Sequence, residues 1–258
     1  MGMDFHAEEN QSSYIGRTAD ESWRQAMKAI VPPEGKRVID IGCGGGIYSK
    51  AWVEMGSALV IGADFSEVML KAAWENCHQD PRIKLIRRAA HATGLDSGRM
   101  DIVFARALIH HLPELDPFME EAYRLLAPGG LCIIQDRTMT DVLMPASPTH
   151  FRGYFLEKFP QLLAKEAKRR PEDQAVREAL QNNGFEQVAA TSLWEVRRRY
   201  ERWEELEQDL LARTGRSILH ELSDEELQIL VTYIGEKVAH ETSIEEQDHW
   251  TIWIGIKK

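Results

Sequence analysis

The segment Val38-Ile39-Asp40-Ile41-Gly42-Cys43-Gly44-Gly45-Gly46, running on into Ile47-Tyr48-Ser49-Lys50, constrains this chain more than any other stretch. Its branched apolar start suits a pleated, buried strand. The glycines that follow let the chain turn sharply, and the residues after them resume a helical pattern. A ligand can lie against bare backbone in such a turn, beside the positive end of the helix that it opens. Dinucleotide-binding turns share this outline, and two details separate them from this one. The pattern G-x-G-x-x-G puts its third glycine where this chain has Ile47. Asp40 stands two residues before Gly42, where a dinucleotide site carries an apolar side chain.

From Lys36 the same rhythm repeats: a short apolar run, a glycine or polar turn, an amphipathic helix. The runs are 37–41, 58–63, 83–86, 101–105 and 131–135. Helices are predicted over 47–55, 67–77 and 115–126, the last closed by Pro128-Gly129-Gly130. Continuous apolar strands alternating with helices imply a parallel sheet covered on both faces. Between residues 83 and 111 no helix of ordinary length is legible. Ahead of the first run, Thr18 and Glu21 have capping-box spacing. Trp23, Met27 and Ile30 then share one helical face until Pro32-Pro33 stops it.

After Gln135 the rhythm breaks. Residues 138–170 form a long insertion carrying Phe151, Tyr154, Phe155 and Phe159. A helix is predicted over 171–183, with Pro171 in its first turn and Gly184 at its end, and a strand over 187–200. Two more helices are predicted, over 201–212 and from a Ser223/Glu226 capping box toward 239. The alternating segment 249–257 closes the chain as a strand. The expected fold is an α/β, Rossmann-like, seven-stranded and mostly parallel sheet with an antiparallel last strand. It is expected to form one domain, 1–258, with lid insertions at 138–170 and 201–239. An apolar pocket is expected between the insertions, walled by Tyr154 and Phe155.

Composition narrows the partners. With 31 Lys and Arg against 41 Asp and Glu, the formal net charge is −10, which repels a phosphate backbone. Nucleic acid is therefore not an expected partner. Cys43, Cys77 and Cys132 sit in apolar segments and read as reduced thiols. With neither a signal-like start nor a run near ~18 apolar residues, the expected location is the cytoplasm, without a membrane anchor. No His, Cys, Asp and Glu spacing suggests a metal site. Arg197-Arg198-Arg199 would split across two faces of a strand, with one arginine neutralised by the acidic helix that follows.

The segment Asp40–Gly46 resembles motif I of class I S-adenosylmethionine-dependent methyltransferases. Residues 61–70, IGADFSEVML, and residues 101–136, ending APGGLCIIQD, extend the resemblance. They are similar to the branch that includes the ubiquinone and menaquinone biosynthesis methyltransferases. The resemblance implies that S-adenosylmethionine lies along Gly42, Cys43, Gly44 and Gly46, with Asp40 near its methionyl amino group. It implies that Asp64 accepts both ribose hydroxyls, while Phe65 and Met69 flank the adenine. Many relatives carry an aspartate after the third strand for the adenine amino group. This chain has Ala89, Ala90 and His91 there, so that contact falls to backbone, to His91 or to water. Arg106 is a candidate lining residue. His110 and His111 follow the fourth strand, near where the family places the transferred methyl. Either is a candidate general base, needed only if the acceptor is protonated, or both merely shape the helix start.

The function implied is methyl transfer to a small-molecule acceptor. One competing reading is a cofactor-binding relative without transfer activity. Another is an NAD-dependent dehydrogenase, disfavoured by Ile47 and Asp40.

Overall fold

The computed structural model describes residues 18–77, 80–240 and 243–258. Seven strands form one sheet in the order β3-β2-β1-β4-β5-β7-β6. They are β1 (Arg37–Ile41), β2 (Leu59–Asp64), β3 (Ile83–Arg87), β4 (Met100–Arg106), β5 (Leu126–Asp136), β6 (Phe185–Tyr200) and β7 (Ile244–Lys257). All pairings from β3 through β5 are parallel. β7 runs antiparallel to both neighbours, β5 and β6. The expected mostly parallel sheet with an antiparallel last strand is what the chain builds.

The helices are α1 (Glu21–Ile30), α2 (Ile47–Glu54), α3 (Glu67–Asn76), α4 (Asp116–Leu125), α5 (Met139–Val142), α6 (Phe151–Lys158), α7 (Leu162–Ala167), α8 (Asp173–Asn182), α9 (Trp203–Leu211) and α10 (Asp224–Val238). Alternation along the strands decides which helix each face receives. Val103 and Ala105 point to one face and pack with Phe118, Met119 and Ala122 of α4 and Val176 of α8. Ile102 and Phe104 point to the other, where Trp23 and Met27 of α1 and Trp52 of α2 cover them. Both layers are built from buried apolar side chains, which explains why the strand runs read as continuous apolar stretches.

Several local expectations are corrected. The N-cap of α1 is Asp20, whose side chain accepts from the Ser22 amide at 2.9 Å, so Thr18 and Glu21 form no capping box. Pro171 precedes α8, whose N-cap is Glu172. β5 begins at Leu126 rather than 131. Leu126 lies opposite Met100 and Leu131 opposite Ile102, so the Pro128-Gly129-Gly130 segment is a bulge inside the strand. No helix stands between β3 and β4 among the described residues. That crossover instead carries an Ala89–Ala92 bridge, and the Thr93 amide bonds Glu121 at 2.8 Å.

The pairing of β5 with β7 ends at Asp136 opposite Thr251, while β6 and β7 continue together to Tyr200 opposite Ile244. This two-stranded extension therefore rises past the carboxyl end of β5. The two insertions pack on it and on each other. Phe151, Tyr154 and Phe155 share a core with Leu206, Leu210, Leu227, Leu230 and Ile244. The two insertions form a cap on this extension, and Arg170 of the first reaches the carboxyl end of β5 at Asp136, 3.3 Å away, on the edge of the sheet where α/β folds hold ligands. Tyr154 and Phe155 are buried in the core that the two insertions share, and Phe155 also lines a small cavity beside Arg137 and Arg152.

Candidate functional site

The glycine turn is pinned by backbone before any ligand is considered. The amides of Gly42 and Cys43 both donate to the Ala63 carbonyl, at 2.8 and 3.1 Å. Gly46 is the N-cap of α2 with φ +74°, and a Cβ there would meet Ala73 and Cys77 at 3.0 Å. It is glycine because α3 packs against the turn. Gly44 differs: a Cβ on it would meet nothing within 4 Å. Its bare face opens onto space, which is what a ligand lying on backbone needs. Asn76 of α3, which sequence reasoning missed, donates to the Gly45 carbonyl at 2.7 Å and holds the turn from behind.

Two carboxylates stand at this turn. Asp64 ends β2; one of its oxygens accepts the Gly44 amide at 2.9 Å and the other the Ser66 amide at 2.8 Å. Asp40 is buried and accepts from the Ser49 hydroxyl at 2.6 Å. Burial pushes its carboxyl up to about 7, the charge of Asp64 adds to the rise, and the Ser49 bond opposes it. Phe65 is half exposed just beyond Asp64, whereas Met69 is 2% exposed and packs as interior. Ala89 and Ala90 are half-buried and His91 is exposed.

Arg106 has partners that the sequence did not suggest. Its guanidinium pairs with Glu195 at 2.8 Å and lies over two rings, Tyr48 at 4.4 Å and Trp250 at 4.1 Å. Glu195 also receives the Tyr48 hydroxyl and, at 2.6 Å, the Gln135 amide. Gln135 in turn accepts the Trp23 indole N–H at 3.0 Å. These bonds tie α1, the first turn of α2, the ends of β4 and β5 and the interior of β6 into one buried polar knot. Arg106 is committed to that knot, and Glu195, far away in sequence, gave no local signal.

His110 sits in a 3₁₀ turn after β4, adjacent to the glycine turn. Leu108 is the side chain that a Cβ on Gly42 would strike, at 2.9 Å. Nδ1 of His110 lies 2.9 and 2.8 Å from the two oxygens of Asp136, at the end of β5. Burial lowers the His110 pKa despite the opposing pull of Asp136. Although burial raises the Asp136 carboxyl, His110 and Arg170 outweigh it and hold that carboxyl well below the usual range. The pair is therefore a neutral imidazole against an ionised carboxylate. In that state Nδ1–H donates to Asp136 and the lone pair is on Nε2. His111 is exposed, with its ring centroid 3.9 Å from that of His110. Asp136 lies one residue past the strand run expected over 131–135, and nothing in the sequence marked it as the partner of a histidine.

The comparisons agree with this geometry. Residues 39–134 match a family described as a methyltransferase domain. The ubiquinone biosynthesis O-methyltransferase of Rhizobium johnstonii is 35% identical over 131 residues, which is 49% of this chain and 52% of that protein. The demethylmenaquinone methyltransferase of Clavibacter sepedonicus is 31% identical over 138 residues, covering 53% of this chain and 54% of that protein. The chain thus spans about half the length of the curated relatives it matches. Among solved structures, Haemonchus contortus phosphoethanolamine N-methyltransferase 2, bound to phosphomonomethylethanolamine and S-adenosylhomocysteine, shares the fold. Its TM-score is 0.63 at 19% identity, over 99% of this chain and 61% of that one. A methyltransferase from an antibiotic biosynthesis pathway of Anabaena variabilis gives a TM-score of 0.66 at 18% identity, over 89% of this chain and 96% of that one. Residues 39–134 thus match a methyltransferase domain, and the fold as a whole is the one seen in these S-adenosylmethionine-dependent methyltransferase structures.

Proposed function

We propose that this protein transfers a methyl group from S-adenosylmethionine to a small-molecule acceptor by in-line displacement. The observation that carries the reading is the bare face of Gly44 beside the Asp64 carboxylate, at the carboxyl ends of the parallel strands. That arrangement fits the cofactor: a backbone cradle, a carboxylate for paired hydroxyls, and the half-exposed ring of Phe65 for a base. Gly42, Cys43, Gly44 and Gly46 would line it, Asp40 would face its ammonium, and Ala89 and Ala90 leave room beside the adenine. Bound there, the cofactor supplies an electrophilic methyl on a sulfonium.

This chain's own contribution is to hold the acceptor in line, exclude water and accept a proton. His110 is the group for the last task, through Nε2, with Asp136 as its positioning residue. The cap excludes water, and its opening admits the acceptor. The net charge of −10 speaks for a small molecule over nucleic acid. Three buried free thiols speak for the cytoplasm; no helix of the described residues is long and apolar enough to cross a membrane. Incubating the protein with methyl-labelled cofactor and a metabolite extract tests the proposal. A labelled product supports it, and cofactor binding without any labelled product would favour a binding protein lacking transfer.

Two smaller predictions concern the carboxylates. Asp64→Ala is expected to weaken S-adenosylhomocysteine binding by about 1.5–3 kcal/mol, the range for hydrogen bonds to charged groups, without unfolding. Unchanged affinity by calorimetry would remove Asp64 from the site. Asp40, half protonated near pH 7 in the ligand-free protein, is expected to ionise when a cationic ammonium docks beside it. Binding should then release a proton at pH 6 and almost none above pH 8. Calorimetry in buffers of different ionisation heat reads this directly, and proton uptake at pH 6 would contradict it.

A further inference from the structure

Arg137 follows Asp136 at the end of β5 and is 8% exposed. Among the described residues its guanidinium makes no hydrogen bond, and Nε is buried without a partner. The nearest acid oxygen, on Asp248, is 4.0 Å away and is already held by Arg152 at 2.5 Å. Glu166 is taken by Arg169 and Arg170, and Asp136 by His110 and Arg170. Four guanidiniums, of Arg137, Arg152, Arg169 and Arg170, therefore share three carboxylates, and Arg137 is the one left over. A buried cation in that position is costly unless something pairs with it. Burial and the charges of Arg152 and Arg170 push its pKa well down.

The unpartnered group is not sealed in packing. Arg137 and Arg152 line a cavity of about 20 Å³, whose other walls are Val142, Phe155, Leu156, Glu166 and Ile218. That space takes about one water-sized group, which suits one oxygen of a ligand whose remainder lies outside. The cavity also adjoins the proposed site. The Trp250 ring that lies 4.6 Å from the Arg137 guanidinium lies 4.1 Å from that of Arg106, and Arg106 reaches Tyr48 in the first turn of α2. On its other side, Arg137 is one residue from the carboxylate that orients His110.

We propose that this cavity is an oxyanion subsite, in which Arg137, seconded by Arg152, takes a negatively charged oxygen group carried by the methyl acceptor. The guanidinium fork matches carboxylate and phosphoryl oxygens alike. This rests on the methyltransferase reading for the identity of the ligand, but not for the binding itself. The acceptor class that follows is a small anionic molecule, anchored by its oxyanion so that the nucleophilic atom lies toward His110.

The test begins with thermal melting of the full chain in acetate, in inorganic phosphate and in chloride at matched ionic strength. Acetate or phosphate should raise the melting temperature by a few degrees over chloride. Arg137→Met should melt at or above the wild-type temperature in chloride and lose the response to the oxyanions. A variant that melts well below wild type, together with a wild type indifferent to oxyanions, would make Arg137 a structural cation and overturn the subsite. Calorimetry with S-adenosylhomocysteine in the presence of the active oxyanion then separates the sources. Undiminished affinity supports an acceptor subsite, whereas competition would assign the pocket to the cofactor's carboxylate and overturn the proposal. With a turnover assay in hand, the oxyanion should compete with the acceptor, and Arg137→Met should raise the acceptor KM roughly tenfold or more. Noncompetitive inhibition would point to a free regulatory anion and would likewise overturn it. If no methyl transfer exists at all, the melting and calorimetric results still stand, so the two proposals fail separately.

Discussion

His110→Ala is expected to lower kcat by about 10²–10⁴-fold, the usual contribution of a positioned general base, with cofactor affinity nearly unchanged. The expectation follows from the pair at the ends of β4 and β5. Asp136 holds Nδ1 at 2.8–2.9 Å and fixes the neutral tautomer, so Nε2 is the basic nitrogen. Because burial lowers the pKa of His110 from its ordinary 6.5, the base form persists through neutral pH. The rate should therefore be flat above about pH 6.5 and fall only on the acid side. Asp136→Asn should give a milder loss of kcat and shift that acid limb, because it disturbs the imidazole without removing it. The assay is turnover of the labelled acceptor, and a loss under about threefold in His110→Ala would mean that the acceptor needs no base.

Arg216→Met is expected to destabilise the protein by about 3–5 kcal/mol, the cost of leaving buried charges unpaired. Arg216 is fully buried and bonds Asp209 at 2.7 Å and Glu246 at 2.6 Å, with Arg197 and the Tyr200 hydroxyl completing the cluster. It joins α9, the end of β6 and the start of β7, so the root of the cap depends on it. Total stabilities of about 5–15 kcal/mol leave little margin for such a loss. Urea denaturation reads the effect, and a change below about 1 kcal/mol would mean that water reaches the network. The pH response has a definite sign. Although burial raises them, their arginine partners hold Asp209 and Glu246 below their ordinary pKa values. Their contribution is thus present above about pH 4.5 and is lost as pH falls through the folded values. Asp40 acts oppositely. Its raised pKa adds stability below about pH 4 that is lost as pH rises through about 7.

The sheet was legible because its information is local. Val38, Ile39 and Ile41, then Ile102, Val103 and Phe104, are apolar on both faces, as strands covered by helices must be. The glycine turn was legible for the same reason: Gly44 and Gly46 encode a backbone shape and the space around it, which no distant residue has to complete. The cap was legible only as amphipathic helices. Trp203, Leu206, Leu210 and Leu211 lie at helical spacing in the sequence, and they pack the cap core. Tyr154 and Phe155 show the limit: aromatic residues in an insertion look alike whether they meet a ligand or another insertion, and both help to form the shared core while Phe155 alone of the two also borders a cavity. Arg197 illustrates the same limit. Sequence shows three arginines in a row; only the fold, with a bulge between Val196 and Arg198, buries the first with Asp209 and Glu246 and leaves the other two exposed. The site's polar partners were the least legible part. Glu195 on Arg106 and Asp136 on His110 are bonds across 89 and 26 residues, and neither residue carries a local mark of its role. Arg137 was missed because its significance lies in lacking a partner, which no spacing in a sequence can reveal.

The measurement that bears most directly on the central claim is calorimetric titration of the purified chain with S-adenosylhomocysteine, and separately with NADH. The geometry of Gly44, Asp64 and Phe65 predicts saturable one-to-one binding of S-adenosylhomocysteine, weakened in Asp64→Ala, and no binding of NADH. Binding of NADH with indifference to S-adenosylhomocysteine would contradict the account outright.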